Sequence, residues 1–221
     1  IVPPPASYRP QLPAFAAAAL SSAQLETIVY AGQSFERDLS GHYTCDKDGL
    51  QLTEHADGAA YRQGYFLGDG TGAGKGRQVA GIIMDQWSRG RRRHVWISKS
   101  AALLEDARRD WSALGGIAID IQSLTDWGLG EPVGMDSGIL FATYATMRSS
   151  RPEKGSRLDQ ILAWVNGEAG DGAFEGMIVF DEGHAMANAA GSEGARGPVR
   201  GSEQGVCGVR LQHLLPRARI L

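Results

Sequence analysis

Between a short apolar run, GYFLGD, which reads as a strand, and an amphipathic stretch lies Asp69-Gly70-Thr71-Gly72-Ala73-Gly74-Lys75-Gly76, and this octapeptide constrains the chain more than any other feature. Closely spaced glycines let backbone N–H groups converge on one point, because no Cβ obstructs the turn. A helix N-terminus directly after them offers partial positive charge to an anion. Lys75, in the first turn of that helix, would carry a point charge to the β- and γ-phosphates of a nucleotide. The loop departs from the usual phosphate-binding pattern twice: Asp69 stands where a glycine begins it, and Gly76 where a Ser or Thr hydroxyl ordinarily ligates Mg²⁺. Without that hydroxyl, the metal must rely on phosphate oxygens, water and another carboxylate. A dinucleotide fingerprint competes, since Gly68, Gly70 and Ala73 satisfy G-x-G-x-x-A. It expects an acidic residue at the end of the second strand, where this chain has Ser98 and Lys99, and it leaves Lys75 without a role. A flexible glycine turn is the purely structural alternative.

The rest of the chain supplies the frame for such a loop. Val79, Ala80, Ile82, Ile83 and Trp87 recur at helical spacing after it. HVWIS then reads as a strand, and a helix from Ser100 carries Leu103, Ala107, Trp111 and Leu114 on one face. IAIDI and GILFATY read as strands, and a helix capped by Ser156 turns Leu158, Ile161, Leu162 and Val165 inward. MIVFDE is a further apolar strand, followed by a Gly-rich loop from Gly191 to Gly205, a helix around Val206 to Leu215, and a final strand, ARIL. Upstream, Ser21 and Ser22 open a helix with Leu25, Ile28 and Val29 at helical spacing that ends near Asp38 to Gly41, and the polar, turn-rich residues 41–63 have room for a short hairpin. Strands apolar on both faces and alternating with helices predict a mostly parallel sheet covered on both sides, an α/β chain in three α/β/α layers.

Ile178-Val179-Phe180-Asp181-Glu182-Gly183-His184 decides between the readings of the glycine loop. A carboxylate at the carboxyl end of a core strand lies beside a phosphate loop, where Asp181 can hold Mg²⁺ through water and Glu182 can polarise the attacking water. An Asp-Glu pair after a strand is by itself an ordinary solvated turn; joined to a glycine-lysine loop about one hundred residues upstream, it makes a site. His184 either packs against the loop or relays between the nucleotide and a neighbouring element.

Composition limits what else the chain does. With 221 residues, 43% hydrophobic and 21% charged, and a net charge of −3, it fits one soluble α/β domain, and the charge indicates no particular partner. Gly is abundant, 30 residues, but without a three-residue period, so collagen-like and linker readings fail. No apolar run approaches the ~20 residues of a spanning helix, so no membrane partner is expected. The chain begins with Ile1, shows no signal peptide, and reads as a fragment. Cys45 and Cys207 belong to no metal-binding spacing, and two isolated thiols point to a reducing compartment, cytoplasmic, or nuclear if the source is eukaryotic. Four of the five prolines in residues 1–13 fall in the first ten positions, so residues 1–19 read as an extended, Pro-rich lead-in and 20–221 as the domain.

The segments LSSAQLETIVYAGQ, GYFLGDGTGAGKGRQVAGII, HVWISKSAALLEDARRDW, GILFATYATM and IVFDEGHAMAN, in that order, closely resemble the helicase-like ATPase domain of the strawberry notch family, within helicase superfamily 2. The resemblance runs from about Leu20 to the C-terminus. In that family the loop reads GDG-x-G-x-GKGR, so Gly76 looks like a family trait, and Gly70 through Arg77 are implied as nucleotide-binding positions. The family's acidic motif often reads DECH; Gly183 replaces the Cys here. The resemblance implies a RecA-like P-loop NTPase lobe with ATP and Mg²⁺ as cofactors, catalytic roles for Lys75, Asp181, Glu182 and His184, and DNA or RNA as partner. It implies a second RecA-like lobe outside this chain, with an arginine for the γ-phosphate, and a Ser-Ala-Thr motif just after ARIL, so the lobe is truncated at its C-terminus.

By the same resemblance Gln24 sits where superfamily 2 proteins place an adenine-reading glutamine, although Ser21 and Gln24 equally fit a capping box. Ser98, Lys99 and Ser100, and likewise Thr143 and Tyr144, stand at positions of nucleic-acid backbone contact or serve as polar caps of strand ends. The run RGRRRH from Arg89 to His94 offers charge to phosphates, or forms a solvated corner. A nucleotide-binding regulatory or scaffold module without turnover is the alternative to an ATPase.

Overall fold

The computed structural model describes residues 6–47, 49–70, 72–167, 174–183 and 209–221, and the backbone of 192–194 and 197–199. In chain order the elements are α1 (Ala14–Ala18), α2 (Ser22–Phe35), β1 (Tyr43–Cys45), β2 (Leu52–Glu54), α3 (Lys75–Ser88), β3 (Arg93–Ser98), α4 (Leu103–Ser112), β4 (Ile121–Ser123), β5 (Gly138–Thr143), α5 (Tyr144–Met147), β6 (Ser150–Arg151), β7 (Gly155–Ser156), α6 (Arg157–Asn166), β8 (Met177–Phe180), β9 (Ser192–Gly194), β10 (Gly197–Val199) and β11 (Arg219–Ile220). Residues 209–213 are also helical.

Five strands form one parallel sheet in the order β11-β8-β3-β5-β4, with Trp96 of β3 opposite Phe141 of β5 on one side and Val179 of β8 on the other. The strands are apolar throughout because each face meets a helical layer. Trp96, Ile139, Phe141, Met177 and Val179 pack with Ile28, Ile82, Ile83 and Trp111 of α2, α3 and α4. Their neighbours Val95, Ile97, Leu140, Ala142 and Ile178 pack with Tyr144, Ile161, Trp164 and Leu211 on the other face. That alternation is the period of two of a strand read against two buried faces, and it bears out the expected layered α/β fold. Two helix starts also follow the sequence: Ser21 with Gln24, and Ser156 with Asp159, form reciprocal capping boxes.

Several local expectations give way. The segment GYFLGD forms no strand; one bond, from Tyr65 N to Ile220 O (2.9 Å), ties it to the sheet edge, because β11 offers only two paired residues. IAIDI begins as a 3-10 turn, Ala118–Asp120, and becomes strand only from Ile121. Asp120 Oδ2 accepts from Ile117 N (3.1 Å) and Trp111 Nε1 (2.8 Å), a side-chain bond that competes with the ladder. Helix α2 ends at Phe35 rather than near Asp38, whose region instead bridges to Arg62. The hairpin in 41–63 is β1 paired with β2. Within the expected Gly191–Gly205 loop, β9 and β10 pair antiparallel; the first part of the expected 206–215 helix lies outside the described residues.

The lead-in is docked over its described part. Tyr8 is buried over Gly32, and its hydroxyl donates to the buried carboxylate of Asp85 in α3. Asp85 also accepts from Gln11 N (2.6 Å) and pairs with Arg89 (3.2 Å). Burial and the Asp85 carboxylate push the Tyr8 phenol up to about 12. The RGRRRH arginines serve the fold at the amino end of β3, away from the glycine loop. Arg89 binds Asp85, Arg91 binds Glu175, Arg92 stacks over Trp87, and Arg93 donates to the carbonyls of Asp136 and Trp164.

His94, fully buried in β3, accepts from Met177 N at Nδ1 (3.1 Å), and its Nε2 lies 2.8 Å from Arg91 O, so the neutral Nε2–H tautomer satisfies both partners. Burial drives its pKa from 6.5 down to about 3. The unfolded chain therefore takes up a proton below pH 6.5 that the folded chain refuses. The stability held by neutral His94 is complete above that pH and is lost as the pH falls toward 3, at up to ~1.4 kcal/mol per pH unit. Urea midpoints measured from about pH 7 to about pH 4.5 should fall more steeply for the parent than for His94→Gln. Parallel slopes would assign acid unfolding to another group.

Candidate functional site

The glycine loop takes the shape its sequence requires. Gly72 (φ 88°) and Gly74 (φ 72°, ψ 40°) adopt left-handed backbone that a side chain resists, and among the described residues nothing lies within 4 Å of a Cβ built on Gly70 or Gly72. Thr71 lies outside the described residues. Gly74 caps α3 without a side-chain bond, which leaves the first turn's N–H groups directed at the loop. Lys75 opens α3, and its Nζ donates across the loop to Asp69 O (3.1 Å). Asp69 earns its place through Gln78, a buried residue whose Nε2 donates to Asp69 Oδ2 (2.8 Å) and Ala73 O (3.2 Å). One side chain thereby holds both ends of the loop.

Gln24 forms the capping box and also borders the loop. Its Oε1 accepts from Ser21 N (3.0 Å) in the capping box, and its Nε2 lies 2.6 Å from where a Cβ on Gly74 would stand, against the loop. A Cβ on Gly76 would meet Asp110 Oδ2, with Asp110 Cγ at 3.3 Å, so a side chain there requires the Asp110 carboxylate to shift. Arg77 Nε lies 3.5 Å from Asp110 Oδ1.

Asp181 follows β8 directly and is fixed from three sides. Its N donates to Ile97 O (2.8 Å), its Oδ2 accepts from Ser98 Oγ (2.8 Å), and its carbonyl accepts from Tyr144 OH (3.0 Å). Ser98 and Tyr144 are both buried, so these two serve the acidic turn rather than a nucleic-acid backbone. Burial and the nearby Asp181 and Glu182 charges push the Tyr144 phenol well above its ordinary value. Thr143 caps α5 by accepting from Thr146 N (3.0 Å). Glu182 holds φ 55°, the one left-handed non-glycine among the described residues; such backbone costs roughly 1–3 kcal/mol and persists where surrounding structure imposes it. His184 lies outside the described residues.

Lys75, Asp69, Asp181, Glu182 and Gly183 line one cavity of about 630 Å³, together with Phe66 and Gln212. Helix start, loop and acidic turn thus meet in a single space, while Gln24, Gly74, Gly76 and Arg77 border the loop outside it. A second cavity of about 580 Å³, near Arg93 and Trp164, contains none of these residues. Sequence reasoning missed Gln78, Asp110, Phe66 and Gln212. Gln78 was detectable as a polar residue on the buried stripe of α3, and Phe66, 89% exposed, as the residue out of phase in an apolar run. Asp110 and Gln212 had no local signal.

The whole chain, residues 1–221, matches the family described as P-loop containing NTP hydrolase pore-1. It is 35% identical over 207 residues to Protein FORGETTER 1 of Arabidopsis thaliana, covering 92% of this chain and 14% of that protein. Protein strawberry notch homolog 2 of Homo sapiens is 35% identical over 224 residues, with 100% of this chain and 14% of the relative covered. For Protein strawberry notch of Drosophila melanogaster the identity is 32% over 212 residues, covering 91% of this chain and 11% of the relative. The chain spans between 11% and 14% of the length of these three relatives. Among the described residues, no helix is long and apolar enough to cross a membrane.

Proposed function

The chain belongs to the strawberry notch family of P-loop NTP hydrolases, and from that premise we propose that residues 20–221 are the ATP-binding and ATP-hydrolysing lobe of a superfamily 2 helicase-like protein acting on nucleic acid or nucleoprotein. The observation that carries this reading is the shared cavity of Lys75, Asp181 and Glu182 at the start of α3. Loop N–H groups and Lys75 bind the phosphate chain, and Gln24 borders the loop where the base edge would be read. Glu182 accepts a hydrogen bond from the attacking water and orients it. Asp181, its carboxylate oriented by the Ser98 hydroxyl, is a hard oxygen donor of the kind Mg²⁺ takes alongside phosphate oxygens and water. Mg²⁺, when bound, neutralises charge on the β- and γ-phosphates. His184 as a catalytic residue and Arg77 as a nucleotide-binding one complete the proposed set. An arginine from a second lobe, elsewhere in the longer protein, supplies the remaining positive charge.

The test is ATP binding and turnover by the chain, with and without single- and double-stranded DNA and RNA. Mg²⁺-dependent ATP binding with hydrolysis supports the reading; binding without turnover under every condition would favour a regulatory or scaffold module, and preference for NAD would overturn the phosphate-loop assignment. Asp181→Ala should weaken binding with Mg²⁺ by about 10–100-fold, and binding in EDTA far less. Equal losses in both would show that Asp181 does not hold the metal.

A further inference from the structure

Gln78 lies in the first turn of α3 with 1% of its surface exposed, beside the buried Val79 and Ala80. A buried polar side chain destabilises unless its groups are bonded, and this one is only half satisfied. Its Nε2 uses both hydrogens, on Asp69 Oδ2 (2.8 Å) and Ala73 O (3.2 Å), whereas its Oε1 is buried and has no partner among the described residues. Methionine, unbranched and of similar length, would fill the position with a comparable helix propensity and without an orphaned acceptor. The stability of α3 therefore does not account for glutamine here. Nor do its two partners need it in order to be satisfied, since Asp69 and Ala73 are exposed and water can reach them.

What the two bonds do is hold the glycine loop. Asp69 and Ala73 stand at its ends, Gly72 lies between them and Gly74 follows, both in left-handed backbone. Glycine loses more conformational freedom on ordering than any other residue, so an untethered loop of this composition would have to be ordered by its ligand, at the expense of affinity. The second effect is electrostatic. Asp69 lines the cavity with Lys75, Asp181 and Glu182, where a carboxylate repels phosphate. Gln78 holds its Oδ2 against α3, which fixes where that charge stands.

We propose that Gln78 is a positioning residue of the nucleotide site, fixing Asp69 and Ala73 so that the loop N–H groups are set for phosphates before a nucleotide arrives. This rests on the ATP-site reading above. Gln78 does not line the cavity and acts through Asp69, which does. Its contribution is to binding rather than to the chemical step, because bound phosphates hold the same loop amides. In a hydrolysing chain its loss raises KM and leaves kcat nearly unchanged, the mark of binding shared by ground and transition states.

The experiment compares the parent chain with Gln78→Met, Asp69→Asn, Asp69→Ala and the pair Gln78→Met/Asp69→Ala. It measures Mg²⁺·ATP affinity by titration calorimetry, thermal melting, and hydrogen exchange at the amides of Gly70, Gly72 and Gly74 without nucleotide. Gln78→Met should melt at or above the parent temperature, exchange the loop amides faster, and bind ATP about 10-fold more weakly. Asp69→Asn removes the charge but keeps an oxygen for the Gln78 amide, and should match the parent in exchange and bind at least as tightly. Asp69→Ala cuts the same bond from the exposed end, so it should bind more weakly than Asp69→Asn and exchange faster. The double variant should bind no more weakly than Gln78→Met, since the bond is already gone. A Gln78→Met chain that melts lower yet binds ATP like the parent makes Gln78 a purely structural residue and overturns the proposal. Unchanged loop exchange, or equal affinities for Asp69→Asn and Asp69→Ala, overturns it too, and each of these leaves ATP binding by the parent intact. If Gln78→Met is itself destabilised and binds weakly, the comparison of the two Asp69 variants decides. A parent chain that binds no ATP overturns the ATP-site reading and this proposal with it.

Discussion

Lys75→Ala is expected to weaken ATP binding by at least about 100-fold, equivalent to ~2.7 kcal/mol, and to abolish hydrolysis with it. The side chain opens α3, lines the cavity with Asp181 and Glu182, and donates to a loop carbonyl, Asp69 O. A charged donor to phosphate contributes roughly twice a neutral hydrogen bond, and no other lysine lies in the loop to replace it. Folding should be nearly indifferent, because Lys75 is only partly buried and alanine is the better helix former. A thermal melt within a few degrees of the parent, beside lost binding in titration calorimetry, is the predicted pair of results. Parent-like affinity and turnover would remove the phosphate-loop assignment altogether.

Glu182→Gln should separate binding from chemistry. Glutamine keeps the size and a hydrogen-bonding oxygen but cannot take a proton from water, so turnover should fall by about 10²–10⁴-fold while the Mg²⁺·ATP complex persists. The left-handed backbone at Glu182, set between the anchored Asp181 and Gly183, fixes where the carboxylate stands, and the variant retains it. Single-turnover measurements with nucleotide bound in advance provide the check. Hydrolysis at the parent rate would assign the water to another group.

The two predictions draw on different layers of information, and the rest of the molecule divides the same way. Sequence by itself determined what neighbours along the chain determine. Glycines tolerate φ near 80° at Gly72 and Gly74, Ser156 and Asp159 close a capping box three residues apart, and strands apolar on both faces require helices on both. These are short-range steric and hydrogen-bonding preferences, reinforced by burial, and they were enough to bring out the α/β frame, the loop lysine and the acidic turn. Where local chemistry competed with the sheet, as in IAIDI, pattern alone misled, because Asp120 found partners that periodicity does not register. Tertiary structure alone decided the contacts between distant elements: Ser98 on Asp181 in the site, Tyr8 on Asp85 under the lead-in, and Asp110 against Gly76. Each joins residues from different elements, so its existence depends on how α2, α3, α4 and the sheet pack together. A glycine read from sequence is only a missing side chain; that Gly76 makes room for another residue's carboxylate follows from the distance between two helices, and no local preference encodes that distance.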